Sequence, residues 1–449
     1  MIKQRMNRRS FLQKSGALAA GLVGFPYIVR ASALGKAGTV APSNRLVMAQ
    51  IGCGGMGGGN LNTFLNFRND IQVIAVCDVD DHHAQEKKSI VDNHYGNQDC
   101  KTYRDFRELI ETESLDIVSH ALPDHLHAVV SVACARKGID MYGEKPFSRM
   151  ISEGRIMCDV MQQYGIIWQT GSWQRSKETF RFASELVRNG RIGTVSHVEV
   201  GLPNGEGPVG PSPNLIPKPA YIEYDLWLGP APWKPYQTLN RESEPNPAKT
   251  GLHYNWRHIF DYSGGKLTDW GGHHIDIAHW GLGFDETGPV AVEGTGKYPE
   301  SGIYNVAYDY DFVCTYANGV TIRIANRSNL PHGQGVCWYG DQGWLFVSRG
   351  ELLASDPSIL REQIGPDEIQ LYRSQNHHEN FIDCVKSRKQ TVTPPEIAHR
   401  SISVAFLGEI AMLTGCALKW DPEHERFIGN EEANRYLMRS YRSPWRLYA

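Results

Sequence analysis

A doubly wound parallel α/β sheet followed by a second, β-rich α/β half is the fold class the sequence predicts. A short apolar strand runs into a glycine-rich turn at residues 46–57, and apolar runs then alternate with helical patterns as far as residue 170. Strands punctuated by hairpin turns dominate the rest of the chain. At 449 residues the chain is long enough for two or more domains and a sizeable core. Its 41% hydrophobic and 21% charged residues are a globular composition, which excludes collagen-like and wholly disordered chains. A formal charge of −3 excludes a strongly basic nucleic-acid binder. The nine cysteines are scattered singly without a C-x-x-C, so neither a disulfide framework nor a zinc ribbon is indicated. Each is read as a small buried hydrophobe.

The first 45 residues carry eight positive charges and no acid. Arg8 and Arg9 precede Ser10, Phe11 and Leu12, an apolar run extends from Gly16 to Val29, and Ala31-Ser32-Ala33 has the form of a cleavage site. This is the layout of a twin-arginine export signal over residues 1–33, with a linker or arm over 34–45 and a periplasmic destination. Removing its six positive charges from −3 leaves −9, which further disfavours nucleic acid. No later run of 18 apolar residues suggests a membrane span in the mature protein.

Residues 46–170 read as a nucleotide-binding domain. Leu46–Gly52 is a buried strand leading into Gly52, Gly54 and Gly57, which fill the G-x-G-x-x-G positions. The first glycine permits the turn, the second admits a pyrophosphate, and the third lets a helix at about Gly59–Phe67 pack against the strand. Ile71–Asp78 is a second strand, and its closing acid, Asp78, stands 21 residues past Gly57, where a ribose-binding carboxylate belongs. Such an acid favours NAD over NADP. Leu115–Ala121, Ile139–Gly143 and Ile166–Thr170 supply further strands, with helices ending at Gly138 and over about Ser152–Tyr164. The predicted cofactor contacts are Gly52, Gly54, Gly55, Met56, Gly57 and Asp78 in the first two loops. At later strand ends they are Pro123, Asp124, His127, Glu144 and Lys145, then Trp173 and Gln174 after the last strand. The Lys145–Pro146 bond is a candidate cis peptide.

Residues 171–449 read as a second α/β domain with strands at Thr194–Gly201, Ala307–Ser328 and Gly335–Ser348. The stretch Gly201–Pro219 is too rich in Gly and Pro for regular structure. Together with PDHLHA and GEKPFS (residues 123–128 and 143–148), the glycine motif resembles the glucose–fructose oxidoreductase, inositol dehydrogenase and rhizopine-catabolism (Gfo/Idh/MocA) family. GGKLTDWGGHHIDIAHWGLG is similar to that family's D-x-x-x-H-x-x-D motif, matching at Asp269, His273 and Asp276. The resemblance covers nearly the whole chain after the signal. It implies a Rossmann domain followed by an α/β domain with a large, mostly antiparallel open sheet, and a homo-oligomer, dimer or tetramer, built through that sheet.

For chemistry the resemblance implies NAD-dependent oxidoreduction at a hydroxyl carbon of a sugar, glycoside or cyclitol. A lysine matching Lys145 would hydrogen-bond the reacting oxygen. Asp269 and His273, four residues apart, share one helix face. His273, with an ordinary pKa near 6.5, can take the hydroxyl proton while Asp269 orients it or holds a substrate hydroxyl. Asp276 is read as a brace. No metal is expected from Asp269, His273, Asp276 and His279, because the outer pair lies too far apart along a helix. Arg175, Trp256 and His274 are candidate substrate contacts, with a structural ion pair the competing reading for Arg175. Tyr304, Tyr308 and Tyr310 are candidate extra acids. The loop Gly201–Pro219 or the arm Leu34–Asn44 could close over a retained dinucleotide. The alternatives are a redox-neutral NAD-dependent glycoside hydrolase working through a 3-keto intermediate, and a sugar-binding module.

Overall fold

The structure, a computed structural model, describes residues 44–215, 217–239 and 253–447. The export signal and residues 34–43 of the arm lie outside the described residues.

Six parallel strands form the first sheet: Leu46–Ile51 (β1), Ile71–Cys77 (β2), Lys101–Tyr103 (β3), Ile117–His120 (β4), Asp140–Gly143 (β5) and Trp168–Thr170 (β6). Their order is β3-β2-β1-β4-β5-β6. Ile51 pairs with Cys77 on one side and His120 on the other, so the chain diverges at the carboxyl end of β1 and opens a crevice there. The glycine turn is itself the start of the first helix, Gly55–Leu65 (α1), four residues earlier than the sequence predicted. The amide of Gly58 already donates to the carbonyl of Gly54 at 2.7 Å.

Asp81–Tyr95 (α2) and Phe106–Thr112 (α3) begin at Asp80 and Asp105, whose carboxylates accept from the amides of His82 and Arg107, each at 2.8 Å. Asp124–Arg136 (α4) and Ile151–Tyr164 (α5) come next. One sheet face is closed by the returning helix His377–Ser387, whose Phe381 packs edge-on to Phe64 and Tyr142. The chain thus crosses back to the first sheet long after residue 171.

Val195–Leu202 (β7) enters the second sheet after helix Glu178–Arg188 (α6). This sheet has nine strands, and all its named neighbours are antiparallel except β7 and Thr321–Asn326, which run parallel from Thr321↔His197 to Asn326↔Leu202. Along Asp309–Thr315 burial alternates strictly: Tyr310, Phe312 and Cys314 face the core, and Asp309, Asp311 and Val313 face outward. Two long helices, Gly265–Leu282 and Pro395–Thr414, supply Ile275, Ile277, Phe406 and Leu407 to the core beneath it. The stretch Gly201–Pro219 does contain regular structure. β7 extends to Leu202, and Pro213–Leu215 pairs with Gln237–Leu239; proline is tolerated there because it opens the strand.

Eight cysteines are buried, as read, while Cys416 is exposed because it comes directly after Gly415, the left-handed cap that ends the last long helix. No described helix is long and apolar enough to cross a membrane.

Candidate active site

The crevice above β1 is a cavity of about 510 Å³. Gly52 has φ +81°, and a Cβ there would meet the carbonyl oxygen of Ala121 at 2.2 Å; one on Gly57 would meet that of Gly52 at 1.8 Å. These two glycines are required by packing. Gly54 and Gly55 differ: among the described residues a Cβ on either meets nothing within 4 Å, although both line the cavity. A cradle left open on the ligand side fits a pyrophosphate that needs backbone approach.

Asp78 completes it. Its carboxylate accepts from the amides of Cys53 at 2.6 Å and Asp80 at 2.9 Å, which ties the end of β2 to the glycine turn. Burial pushes its pKa up; those amides and His83 oppose the shift. Pro123 and Asp124, at the start of α4, form the opposite wall with Leu126. Burial pushes the Asp124 carboxyl up to about 7 against a 2.6 Å hydrogen bond donated by Ser263.

Glu144 and Lys145 stand at the end of β5, and the Lys145–Pro146 peptide is cis. Lys145 meets Asp269 in a close ion pair on the cavity wall. Burial pulls the lysine pKa down, but Asp269, Glu144 and Asp124 outweigh it, so the ammonium ends above its ordinary value. For Asp269, burial raises the pKa, and Lys145, Arg257 and Lys266 bring it below the usual carboxylate range. The pair is therefore charged at neutral pH. One helical turn on, His273 is buried, and among the described residues its Nδ1 has no hydrogen-bond partner. Burial, then Lys145 and Arg349, hold its pKa well below 6.5, so the imidazole is neutral rather than poised near 6.5 as the sequence suggested. Lys145, kept charged on the cavity wall, can donate to a substrate oxygen, whereas His273, the expected base, is not among the residues that line the cavity.

A model of the NAD-binding Rossmann fold of the Gfo/Idh/MocA oxidoreductase family matches residues 46–172, and one of that family's C-terminal α/β domain matches residues 210–447. The chain belongs to this oxidoreductase family. The Gfo/Idh/MocA relatives include myo-inositol 2-dehydrogenase of Thermotoga maritima, 28% identical over 348 residues, covering 74% of this chain and 85% of that protein. Levoglucosan dehydrogenase of Pseudarthrobacter phenanthrenivorans is 29% identical over 91 residues; that match covers 20% of this chain and only 23% of the relative's length. The crystal structure of the WlbA dehydrogenase of Bordetella pertussis in complex with NADH and UDP-GlcNAcA has a TM-score of 0.59 at 14% identity, covering 84% of this chain and 99% of that one. This likeness is one of fold.

The structure differs from the sequence reading at several Gfo/Idh/MocA site candidates. His127 does not line the cavity: its ring nitrogens lie 2.7 Å from the carbonyl of Pro146 and 3.0 Å from that of Leu122, bracing the two loops from behind. Arg175 is 2% exposed and is gripped by Asp276 at 2.8 Å and Asp285 at 2.7 Å, with each guanidinium nitrogen engaged, so it is a structural brace and not a substrate contact. Gln174 and His274 are buried against each other at 3.5 Å, away from the cavity wall, and burial drives His274 down to about 3. Trp173 is half-buried and covers the His273 side rather than the glycine turn.

His279 lies 2.5 Å from the Tyr316 hydroxyl, a core contact. Tyr310 donates to the Pro203 carbonyl at 2.5 Å and Tyr304 bonds Asn255, which occupies both hydroxyls. Trp256 does line the cavity.

Several groups escaped the sequence reading. His253, Arg257 and Trp445 also line the cavity, and no described residue of the loop 201–219 does. Trp445 stacks on Phe106 at 6.2 Å beneath the guanidinium of Arg107, and Arg136 holds the carbonyl of Leu447 at 2.7 Å. Arg349 lies 4.4 Å from the rings of both Trp173 and Trp270. Local patterns carried no signal for these residues, because each arrives from a distant stretch of chain.

Proposed function

We propose that this protein oxidises or reduces a hydroxyl carbon of a sugar or cyclitol with NAD. The observation that carries the reading is that Lys145 and Asp269 pair on the wall of the same cavity that holds the open Gly54–Gly55 cradle. When bound, the nicotinamide supplies the hydride acceptor or donor. Gly54, Gly55 and the first amides of α1 would hold the pyrophosphate, and Asp78 the ribose hydroxyls. Lys145, kept cationic, donates to the reacting oxygen. Asp269 anchors that ammonium, and His273, one helical turn further on behind the wall, is the proton acceptor that the motif offers. Trp256 and Tyr254 offer faces for ring C–H groups, and the names of the relatives, a myo-inositol and a levoglucosan dehydrogenase, support a polyol substrate.

NAD is favoured over NADP because Asp78 would repel a 2′-phosphate. Arg104, the nearby cation on the cavity wall, is already bound to Asp81 and Glu223. The twin arginines Arg8 and Arg9 with the A-x-A site support export to the periplasm, where a retained cofactor would be needed.

The test is to incubate the purified chain with NAD and myo-inositol, aldoses or methyl glycosides. NADH or an enzyme-bound reduced nicotinamide together with a keto product is expected. Release of methanol from glycosides without net oxidation would overturn the reading in favour of a hydrolase.

A further inference from the structure

Where β2 gives way to α2, three metal-ligating side chains that the dehydrogenase reading does not use converge at the rim of the crevice. They are Asp80, His83 and His253, and their ligand atoms all lie within 4.8 Å of one another. Asp80 is 3% exposed. One of its oxygens is committed to the cap of α2, accepting from His82, and the other lies 3.0 Å from Nε2 of His253. The rings of His83 and His253 are 4.7 Å apart and inclined at 54°. Nδ1 of His83 lies 3.8 Å from the carboxylate of Asp78, which adds a second negative charge at the edge of the group.

A buried carboxylate is normally matched by a Lys or Arg or by a metal ion. Among the described residues Asp80 has neither Lys nor Arg as an ion-pair partner, only imidazoles. Its position is fixed: Asp81 donates to the carbonyl of Tyr221 at 3.0 Å, Glu223 donates to that of Val79 at 2.8 Å, and the His82 ring stacks on Tyr221 at 4.2 Å. The two histidines keep partial exposure, at 24% and 27% of their side chains. Both histidines line the cavity. Tetrahedral coordination with bonds near 2.0–2.2 Å sets ligand atoms about 3.4 Å apart. Asp80 and His253 stand 3.0 Å apart, near that spacing, and the His83 ligand atom lies within 4.8 Å of both. Two imidazole nitrogens and one carboxylate oxygen select zinc-class ions over magnesium or calcium, which take oxygen ligands.

We propose that Asp80, His83 and His253 bind one zinc-class divalent cation, with a fourth coordination position open to the crevice. Asp80 and His83 belong to the nucleotide-binding half and His253 to the second half, so the ion would clasp the two across the crevice mouth. Zinc binding needs neither dinucleotide nor substrate, so it stands or falls apart from the oxidoreductase reading.

The experiment uses the untagged full chain, stripped with chelator and titrated with ZnCl₂ and with CoCl₂. One ion per chain is expected, with visible Co²⁺ bands of tetrahedral intensity and no comparable binding of MgCl₂ or CaCl₂. His83→Gln and His253→Gln should each weaken zinc at least tenfold. His424→Gln, which removes the exposed partner of Asp421, should leave it unchanged. Absence of saturable zinc binding to the wild-type chain overturns the site, as does equal binding of magnesium. Zinc that tracks His424 rather than His83 and His253 overturns it too. If a variant fails to fold, the wild-type stoichiometry and Co²⁺ spectrum still decide.

Discussion

Asp269 and Asp276 stand seven residues, about two turns, apart on the helix Gly265–Leu282, and each meets a cation from another element: Lys145 for the first, Arg175 for the second. Lys145 and Asp269 form part of the cavity wall, with side chains 13% and 19% exposed; Arg175 and Asp276 are each 2% exposed, with Asp285 as a third member. The cations differ in kind. Arginine's planar fork satisfies two carboxylates at once and stays charged when sealed, which suits a brace. Lysine is a compact ammonium whose donors can turn from Asp269 to an incoming oxygen, which suits a site. One sequence motif therefore carries a chemical half and a mechanical half, and the cation opposite each acid tells them apart.

Lys145→Ala should break the first pair with the largest effect, a rate loss of roughly 10²–10⁴-fold in the chemical step, while the thermal midpoint moves little. A melting temperature that collapses with the activity would make both pairs mechanical. Arg175→Met should do the reverse, leaving the buried Asp276 and the half-buried Asp285 unmatched and costing about 3–5 kcal/mol in urea unfolding. The folded fraction should bind NAD with unchanged affinity in calorimetric titration. Weakened dinucleotide binding by well-folded protein would return Arg175 to the site.

The smallest effect concerns pH. Asp124, with its pKa near 7, should place an inflection in kcat/KM close to neutrality that vanishes in Asp124→Asn. His273 is held well below 6.5, so it stays neutral as pH falls through the ordinary histidine range and charges only at lower pH. An acid limb centred near 6.5 that disappears in His273→Ala would contradict the burial argument.

The glycine turn and Asp78 were legible because each depends on a few adjacent residues; Lys145 and Asp269 were each named from their own motif, but their pairing across 124 residues was not read. Gly52 and Gly57 are dictated by backbone contacts the motif itself creates. The roles of Arg175 and His127 were not legible, since an arginine or histidine reads the same whether it faces substrate or a buried partner. Asp285 and the Pro146 carbonyl, which decide those roles, sit 110 and 19 residues away. The helices α2 and α3 went unread although Asp80 and Asp105 cap them, because their short apolar stripes are masked by charged residues. Trp445 and Arg349 reach the crevice region by tertiary docking alone.

The lone exposed thiol has a practical consequence. Cys416 sits beside Glu293, Thr295, Asp311 and Val313 in a shallow depression on the second sheet, while the other eight sulfurs are buried. A maleimide dye added to the native chain would therefore find a single address, remote in sequence from the glycine turn. The molecule comes with its own labelling handle, placed where a second copy docking on that sheet would change the colour or polarisation of the dye.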